Sequence, residues 1–365
     1  SEGKLIGYSY LKARGVSDPM IERFALGYRP EQRDAFTKQA VENGYHESIL
    51  QDCGLSIQKE GRKPIDRFYG RVIFPIQNLS GRVLGFGART LKNEKRIAKY
   101  LNSPETEIYH KSKVLYGLYQ SKRSISRDDN CFLVEGYTDV IALHQKGIEN
   151  VVSSSGTSLT EDQIKLIRRF TPNITVLFDG DAAGIKASFR GIDMLLKEDM
   201  NVKVVLFPDG EDPDSFARKS TTFDLENFLK DHAQDFIQFK CGVLIDDAGD
   251  DPFKKAELIK NIIQSISLIS DNIVRSVYVK EAAHLLQIEE KTLVSEVLVI
   301  RNSNLNSDRR YSKNDRNEVP NFPSPVVSSG LRSEEEEQEQ QGKSSDYVER
   351  KNDVPEREIV RLLLL

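Results

Sequence analysis

Apolar positions change their spacing three times along the chain. The opening Tyr8–Phe24 stretch has helical spacing, interrupted near Gly15 and Pro19. Val72–Gln77 and Arg82–Ala88 then alternate as two strands around Asn78-Leu79-Ser80-Gly81, which has the composition of a hairpin turn. From about 128 to 215 the pattern becomes a regular alternation. Short apolar runs at Cys131–Glu135, Asn150–Ser153, Ile174–Phe178 and Val202–Phe207 predict strands, with helical stretches at about Val140–Lys146, Glu161–Phe170 and Ala182–Lys197 between them. Thr160 with Gln163 fits a capping box for the second of these helices. Elements of this length in this order predict a parallel sheet with helices on its faces, whose functional residues gather at the carboxyl ends of the strands.

From about 220 to 300 the spacing is helical again, as at Leu258, Ile262, Ile263, Ile266 and Ile269, and predicts a small bundle. Residues from about 302 to 350 are rich in Ser, Asn, Pro, Glu and Gln, too polar to offset chain entropy, and are expected to form a disordered linker. Pro355–Leu365 turns apolar once more. The expected organisation is an α+β region at 1–127, an α/β domain at 128–215, a helical bundle at 216–301, a linker at 302–350 and the start of a further domain at 351–365.

Composition narrows the function classes. No stretch approaches the roughly 20 apolar residues that a membrane helix needs, and Ser1-Glu2-Gly3-Lys4 lacks a signal-peptide pattern, so a cytoplasmic location is expected. Cys53, Cys131 and Cys241 are far apart with no CxxC or CxxH spacing, so zinc is not expected. The formal net charge is −4, but the average misleads: Lys59–Arg127 holds sixteen Lys/Arg against five Asp/Glu, while the tail carries the Glu334–Glu337 run. A local basic surface is what phosphate binding requires.

Carboxylates stand where the strands of the α/β region end. Glu135 closes the first strand and Asp139 falls in the first turn of the next helix; Asp179-Gly180-Asp181 follows the strand ending at Phe178; Asp209-Gly210-Glu211-Asp212-Pro213-Asp214 follows the strand ending at Phe207. Alone, Asp-Gly-Asp is more often a turn than a metal site, and Asp139 or Asp181 could simply favour a helix N-terminus. A parallel sheet, however, brings all three clusters to one edge. Carboxylates that close must either raise their pKa values or bind cations, and oxygen-only ligands suit Mg²⁺ or Mn²⁺.

The sequence also resembles a known family. Glu135 and Asp179-Gly180-Asp181 on alternating β/α structure resemble the Toprim domain shared by DnaG primases, type IA and II topoisomerases and some nucleases. Asp66–Ile76, Gly81–Arg89 and Lys99–Thr106 are similar to the DnaG polymerase core, and Ser155-Gly156-Thr157-Ser158, Asp179–Gly184 and Pro208–Asp214 stand in that family's order. The resemblance to bacterial DnaG-type DNA primases runs from about Tyr8 to about residue 290. It implies a Toprim parallel sheet flanked by helices, with an N-terminal α+β subdomain and a C-terminal helical subdomain.

It further implies a DNA-templated RNA polymerase making RNA primers on single-stranded DNA from ribonucleoside triphosphates. Glu135, Asp179 and Asp181 would be catalytic, and these three with Asp139, Asp212 and Asp214 would hold two or three Mg²⁺ or Mn²⁺ ions. Arg14, Arg71, Arg89, Lys99, Asn102 and Lys111 would bind nucleic acid or nucleotide. A monomer in the nucleoid or replisome is expected, engaging the replicative helicase through a C-terminal domain of which 351–365 is the start. A Toprim topoisomerase or nuclease is the alternative. A topoisomerase needs a catalytic tyrosine in a separate DNA-gate domain, for which the chain has no room, and a nuclease would lack the Arg82–Arg89 and Lys99–Thr106 motifs.

Overall fold

The computed structural model describes residues 3–94, 96–156, 158–180 and 182–314. After a π-helical turn at Gly3–Tyr8, the first helical stretch is split into α1 (Ser9–Ala13) and α2 (Asp18–Arg23). Gly15 turns the chain in the left-handed region at φ 79°, and Pro19 sits in the first turn of α2, where a missing N–H breaks nothing. β1 (Gly27–Arg29) precedes α3 (Ala35–Glu42) and α4 (Glu47–Asp52), and β2 (Ser56–Ile57) pairs with β3 (Ile65–Asp66) in a short ribbon.

β4 (Arg71–Gln77) and β5 (Val83–Thr90) form the expected hairpin. The Asn78 side chain accepts from the N–H groups of Ser80 (2.9 Å) and Arg82 (3.0 Å), closing the turn. With β6 (Tyr100–Asn102) they make an antiparallel sheet in the order β1-β4-β5-β6. Ile73 faces Phe36, Leu50 and Phe68, whereas Val72, Phe74 and Ile76 face the α/β region that follows, so β4 is buried on both sides.

α5 (Leu118–Asp128) leads into the alternating region: β7 (Cys131–Val134), α6 (Tyr137–Gln145), β8 (Val151–Ser153), α7 (Glu161–Arg168), β9 (Asn173–Phe178), α8 (Ala182–Lys197) and β10 (Asn201–Leu206). The capping box at α7 is present: Gln163 N–H donates to Thr160 Oγ1 (3.2 Å) and Thr160 N–H to Gln163 Oε1 (3.1 Å). Then follow α9 (Pro213–Lys219), α10 (Thr222–Asp231), β11 (Gln234–Asp235), α11 (Phe236–Ala248), α12 (Pro252–Leu268), α13 (Asn272–Leu286) and α14 (Glu290–Asn314). Asp235, Asp251 and Asp271 cap α11, α12 and α13.

The second sheet has the order β11-β10-β9-β7-β8. Its three parallel pairings, which join β8, β7, β9 and β10, are as expected, but β11 adds an antiparallel edge from beyond 216, so the sheet is mixed. Strand alternation divides the core. Leu133, Val176 and Val204 pack toward α8 and the bundle, while Val134, Leu177 and Val205 pack toward α6, α9 and the N-terminal sheet.

One boundary moves. The polar stretch expected to begin a linker at about 302 continues α14 to Asn314, because nothing between 302 and 314 is a proline or glycine that would stop the helix. Residues 315–350, and 351–365 with them, lie outside the described residues. Among the described residues no helix is long and apolar enough to cross a membrane.

Candidate active site

From β7 the chain steps outward to β8 on one side and then to β9 on the other. That reversal opens a crevice beyond the carboxyl ends of β7 and β9, the place where open α/β sheets bind ligands. Glu135 and Asp179 are the residues immediately after these two strands. The loop that follows β10 closes in from the far side. Gly180 N–H donates to the Glu211 carbonyl (3.1 Å), and a Cβ at Gly180 would lie 2.2 Å from the Pro208 carbonyl oxygen. Only glycine lets the second and third acidic clusters pack backbone against backbone there.

The structure brings Asp139, Asp179, Asp212 and Asp214 into one electrostatic group. Asp139, at the start of α6, accepts from Gly136 N–H (2.9 Å) and is 7% exposed. Burial, then the charges of Asp212, Asp179 and Asp214, push its carboxyl up to about 8. A buried carboxyl held that high lacks positive charge, and an oxygen-only donor set fits a hard divalent cation.

The other carboxylates differ in their surroundings. Glu135 stands exposed and lines a cavity of about 400 Å³ with Ser154, Gly156, Ser158, Phe178 and Arg190, on the α8 side of the rim. Asp212 caps α9 by accepting from Ser215 N–H (2.6 Å). Asp214 is buried and paired with two guanidinium groups, Arg14 and Arg218 (3.2 Å). Among the described residues no three His, Cys, Asp or Glu side chains are grouped closely enough to hold a metal ion, and Asp181 lies outside those residues.

The basic residues fall into two groups. Arg89 is half-buried, donates to the Tyr10 hydroxyl and lies 5.3 Å and 5.7 Å from the Tyr10 and Tyr100 ring centres. Lys99, exposed, precedes Tyr100, and Lys111 is half-buried, its ammonium pushed down by burial. Asn102 accepts from the Tyr137 hydroxyl (2.6 Å) and donates to the Ser155 carbonyl (3.3 Å), bridging the two sheets. Arg14 and Arg71 do not stand as free surface cations. Arg14 is bound to Asp214, and Arg71, 9% exposed, donates to the carbonyls of Ala98 (3.1 Å) and Lys99 (3.4 Å). Arg71 therefore holds the Ala98–Lys99 main chain that leads into β6.

Sequence reasoning missed Arg218 and the Tyr10 and Tyr137 rings as site components. A faint signal existed for Tyr137: Gly87 on β5 must be small, since a Cβ there would meet that ring at 2.3 Å.

Comparison with known proteins agrees with this architecture. Residues 2–122 match the family described as DNA primase catalytic core, N-terminal domain; 132–217 match a Toprim-like family; 246–291 match the DnaB-helicase binding domain of primase. The DNA primase of Halalkalibacterium halodurans is 38% identical over 291 residues, 77% of this chain and 47% of that one. The Staphylococcus aureus DNA primase is 33% identical over 290 residues, 79% and 48% respectively. The chain thus spans about half the length of the curated relatives it matches.

A DNA primase domain from Pseudomonas aeruginosa superposes with a TM-score of 0.71 at 34% identity, over 80% of this chain and 92% of that one. A DnaG primase catalytic domain bound to single-stranded DNA superposes with a TM-score of 0.70 at 35% identity, over 78% and 90%. With the N-terminal subdomain and the Toprim-like sheet both matched, and the superposition covering 92% of a primase domain at 34% identity, the chain belongs to the family of DnaG-type DNA primase catalytic cores.

Proposed function

We propose that this chain synthesises short RNA primers on single-stranded DNA by divalent-metal-dependent nucleotidyl transfer. The observation that carries the reading is the convergence of Asp139, Asp179, Asp212 and Asp214 at the sheet's switch point, with Asp139 buried and short of positive charge. Asp139, Asp179 and Asp212, with Glu135 and Asp181, would hold two or three Mg²⁺ or Mn²⁺ ions. When bound, these neutralise triphosphate charge and make the attacking 3′-hydroxyl more acidic.

The chain's own groups do the rest. Glu135, exposed at the end of β7, would either help hold an ion or take the hydroxyl proton. Arg89, held between two tyrosine rings, keeps its guanidinium oriented toward phosphate. Lys99, Lys111 and Asn102 follow the template backbone or the incoming triphosphate. Such contacts position nucleic acid without reading its sequence, so copying rests on base pairing. The relative bound to single-stranded DNA supports this partner. The match to a helicase-binding family over 246–291 supports a replicative helicase as the protein partner, docking on α12 and α13.

The test is incubation with single-stranded DNA and labelled ribonucleoside triphosphates, with and without Mn²⁺. Short RNA products that need template and metal are expected. Relaxed circles or DNA fragments in their place would favour a topoisomerase or a nuclease.

A further inference from the structure

Glu135 has no secondary-structure element of its own to fix it: β7 ends at Val134 and α6 begins at Tyr137. Its main chain is instead held from the neighbouring strand. Ser153, the last residue of β8 and fully buried, donates its hydroxyl to the Glu135 carbonyl (2.7 Å). The same oxygen accepts from Ser155 N–H (2.8 Å), and Gly156 N–H gives Glu135 a second donor (3.2 Å). Ser155 adopts φ 59°, a left-handed conformation that a serine rarely takes without being held. Asn102 donates to the Ser155 carbonyl (3.3 Å), and Tyr137 donates its hydroxyl to Asn102 (2.6 Å). Ser153 is fixed in turn by a reciprocal backbone pair with Tyr116, both bonds 3.0 Å.

We infer that Ser153 is a positioning residue, whose hydroxyl, fixed by the Asn102–Tyr137 bracket around Ser155, sets the direction of the Glu135 side chain. Among the described residues no other side-chain donor reaches the Glu135 carbonyl. Loss of the hydroxyl leaves the Ser155 N–H without its acceptor and Glu135 with one donor instead of two. The turn at Ser155 then keeps only its Asn102 tie, and the Glu135 main chain is held by the Gly156 N–H alone. Groups that orient a catalytic side chain through one intervening bond alter rate about 10- to 100-fold when removed.

This inference rests on the primer-synthesis reading and on Glu135 taking part in it. The experiment measures kcat and the triphosphate KM of ribonucleotide incorporation, with melting temperature, for Ser153→Ala, Tyr137→Phe, Glu135→Gln and a control. The control is Ser121→Ala, which removes an equally buried hydroxyl that donates to the Val151 carbonyl (2.6 Å) in the same region but has no link to Glu135. Ser153→Ala is expected to lower kcat about tenfold or more with KM unchanged, while Ser121→Ala lowers only the melting temperature. Tyr137→Phe, which keeps the ring and removes only the outermost bond, should lower kcat in the same sense by a smaller factor. It carries the test alone if Ser153→Ala does not fold. Wild-type kcat in Ser153→Ala and Tyr137→Phe, beside an inactive Glu135→Gln, overturns the inference. So do equal losses in Ser153→Ala and Ser121→Ala. Full activity in Glu135→Gln would instead count against the catalytic reading of Glu135 itself.

Discussion

Asp139→Asn should stabilise the metal-free protein while removing its activity. In the folded chain Asp139 is pushed from an ordinary value of 3.8 up to about 8, by burial first and by Asp212, Asp179 and Asp214 next. Unfolding returns it to the ordinary value. Because the folded value is the higher one, the group favours folding at low pH, and that contribution is lost progressively as pH rises from about 4 to about 8. At pH 7 the gap, at ~1.4 kcal/mol for each factor of ten, corresponds to about 4 kcal/mol set against the fold. Neighbouring side chains can relax, so about 4 kcal/mol is a ceiling, and a gain of ~2 kcal/mol is the working expectation. Asparagine keeps the shape and an oxygen able to accept from Gly136 N–H, so the substitution isolates the charge. The assay is urea unfolding in EDTA at pH 5 and pH 8. Asp139→Asn should exceed wild type at pH 8, the difference should shrink at pH 5, and Mg²⁺ should raise wild type more than the variant. A variant less stable than wild type at pH 8 without metal would refute the electrostatic account of the site.

Other expectations follow from the basic groups. Lys99→Ala and Lys111→Ala should each weaken single-stranded DNA binding and reduce the slope of log K against log salt by about 0.7; an unchanged slope in both would return them to ordinary surface. Arg71→Ala should act through the fold, lowering the melting temperature by several degrees as the Ala98 and Lys99 carbonyls lose their donor; a normal melting temperature with weakened DNA binding would reverse that assignment. Arg14→Ala and Asp214→Ala, alone and together, should show a coupling of about 1–3 kcal/mol in unfolding free energy; strict additivity would mean that the pair does not join α1 to α9.

The alternating region was legible in the sequence because its two periodicities are each simple. β7 and β9 are largely buried on both faces and read as apolar runs, with Glu135 and Asp179 directly at their ends, whereas β10 alternates exposed and buried positions from Asn201 to Val204. The family motifs then pointed to the same rim. What the sequence hid was direction and partnership. Arg71 sits on a strand buried on both faces, and its guanidinium turns to main-chain carbonyls instead of solvent. Arg14 and Asp214 are 200 positions apart, and nothing local marks one as the other's counter-ion. Asp212 looked like a ligand, yet its side chain also caps α9, as aspartate before Pro at a helix start commonly does. The extension of α14 through 302–314 was hidden for a related reason: polarity argued for a linker, but polar residues without proline or glycine continue a helix begun on packed turns such as that at Leu293 and Val297.

Direct titration of Mn²⁺ into the metal-free protein, followed by electron paramagnetic resonance, addresses the acidic rim itself. Wild type is expected to take up at least one tightly held ion, and Asp179→Asn to lose that uptake with its fold, read by circular dichroism, unchanged. Undiminished Mn²⁺ uptake by Asp179→Asn would mean that the carboxylates at the ends of β7, β9 and β10 are not where this protein holds its cations.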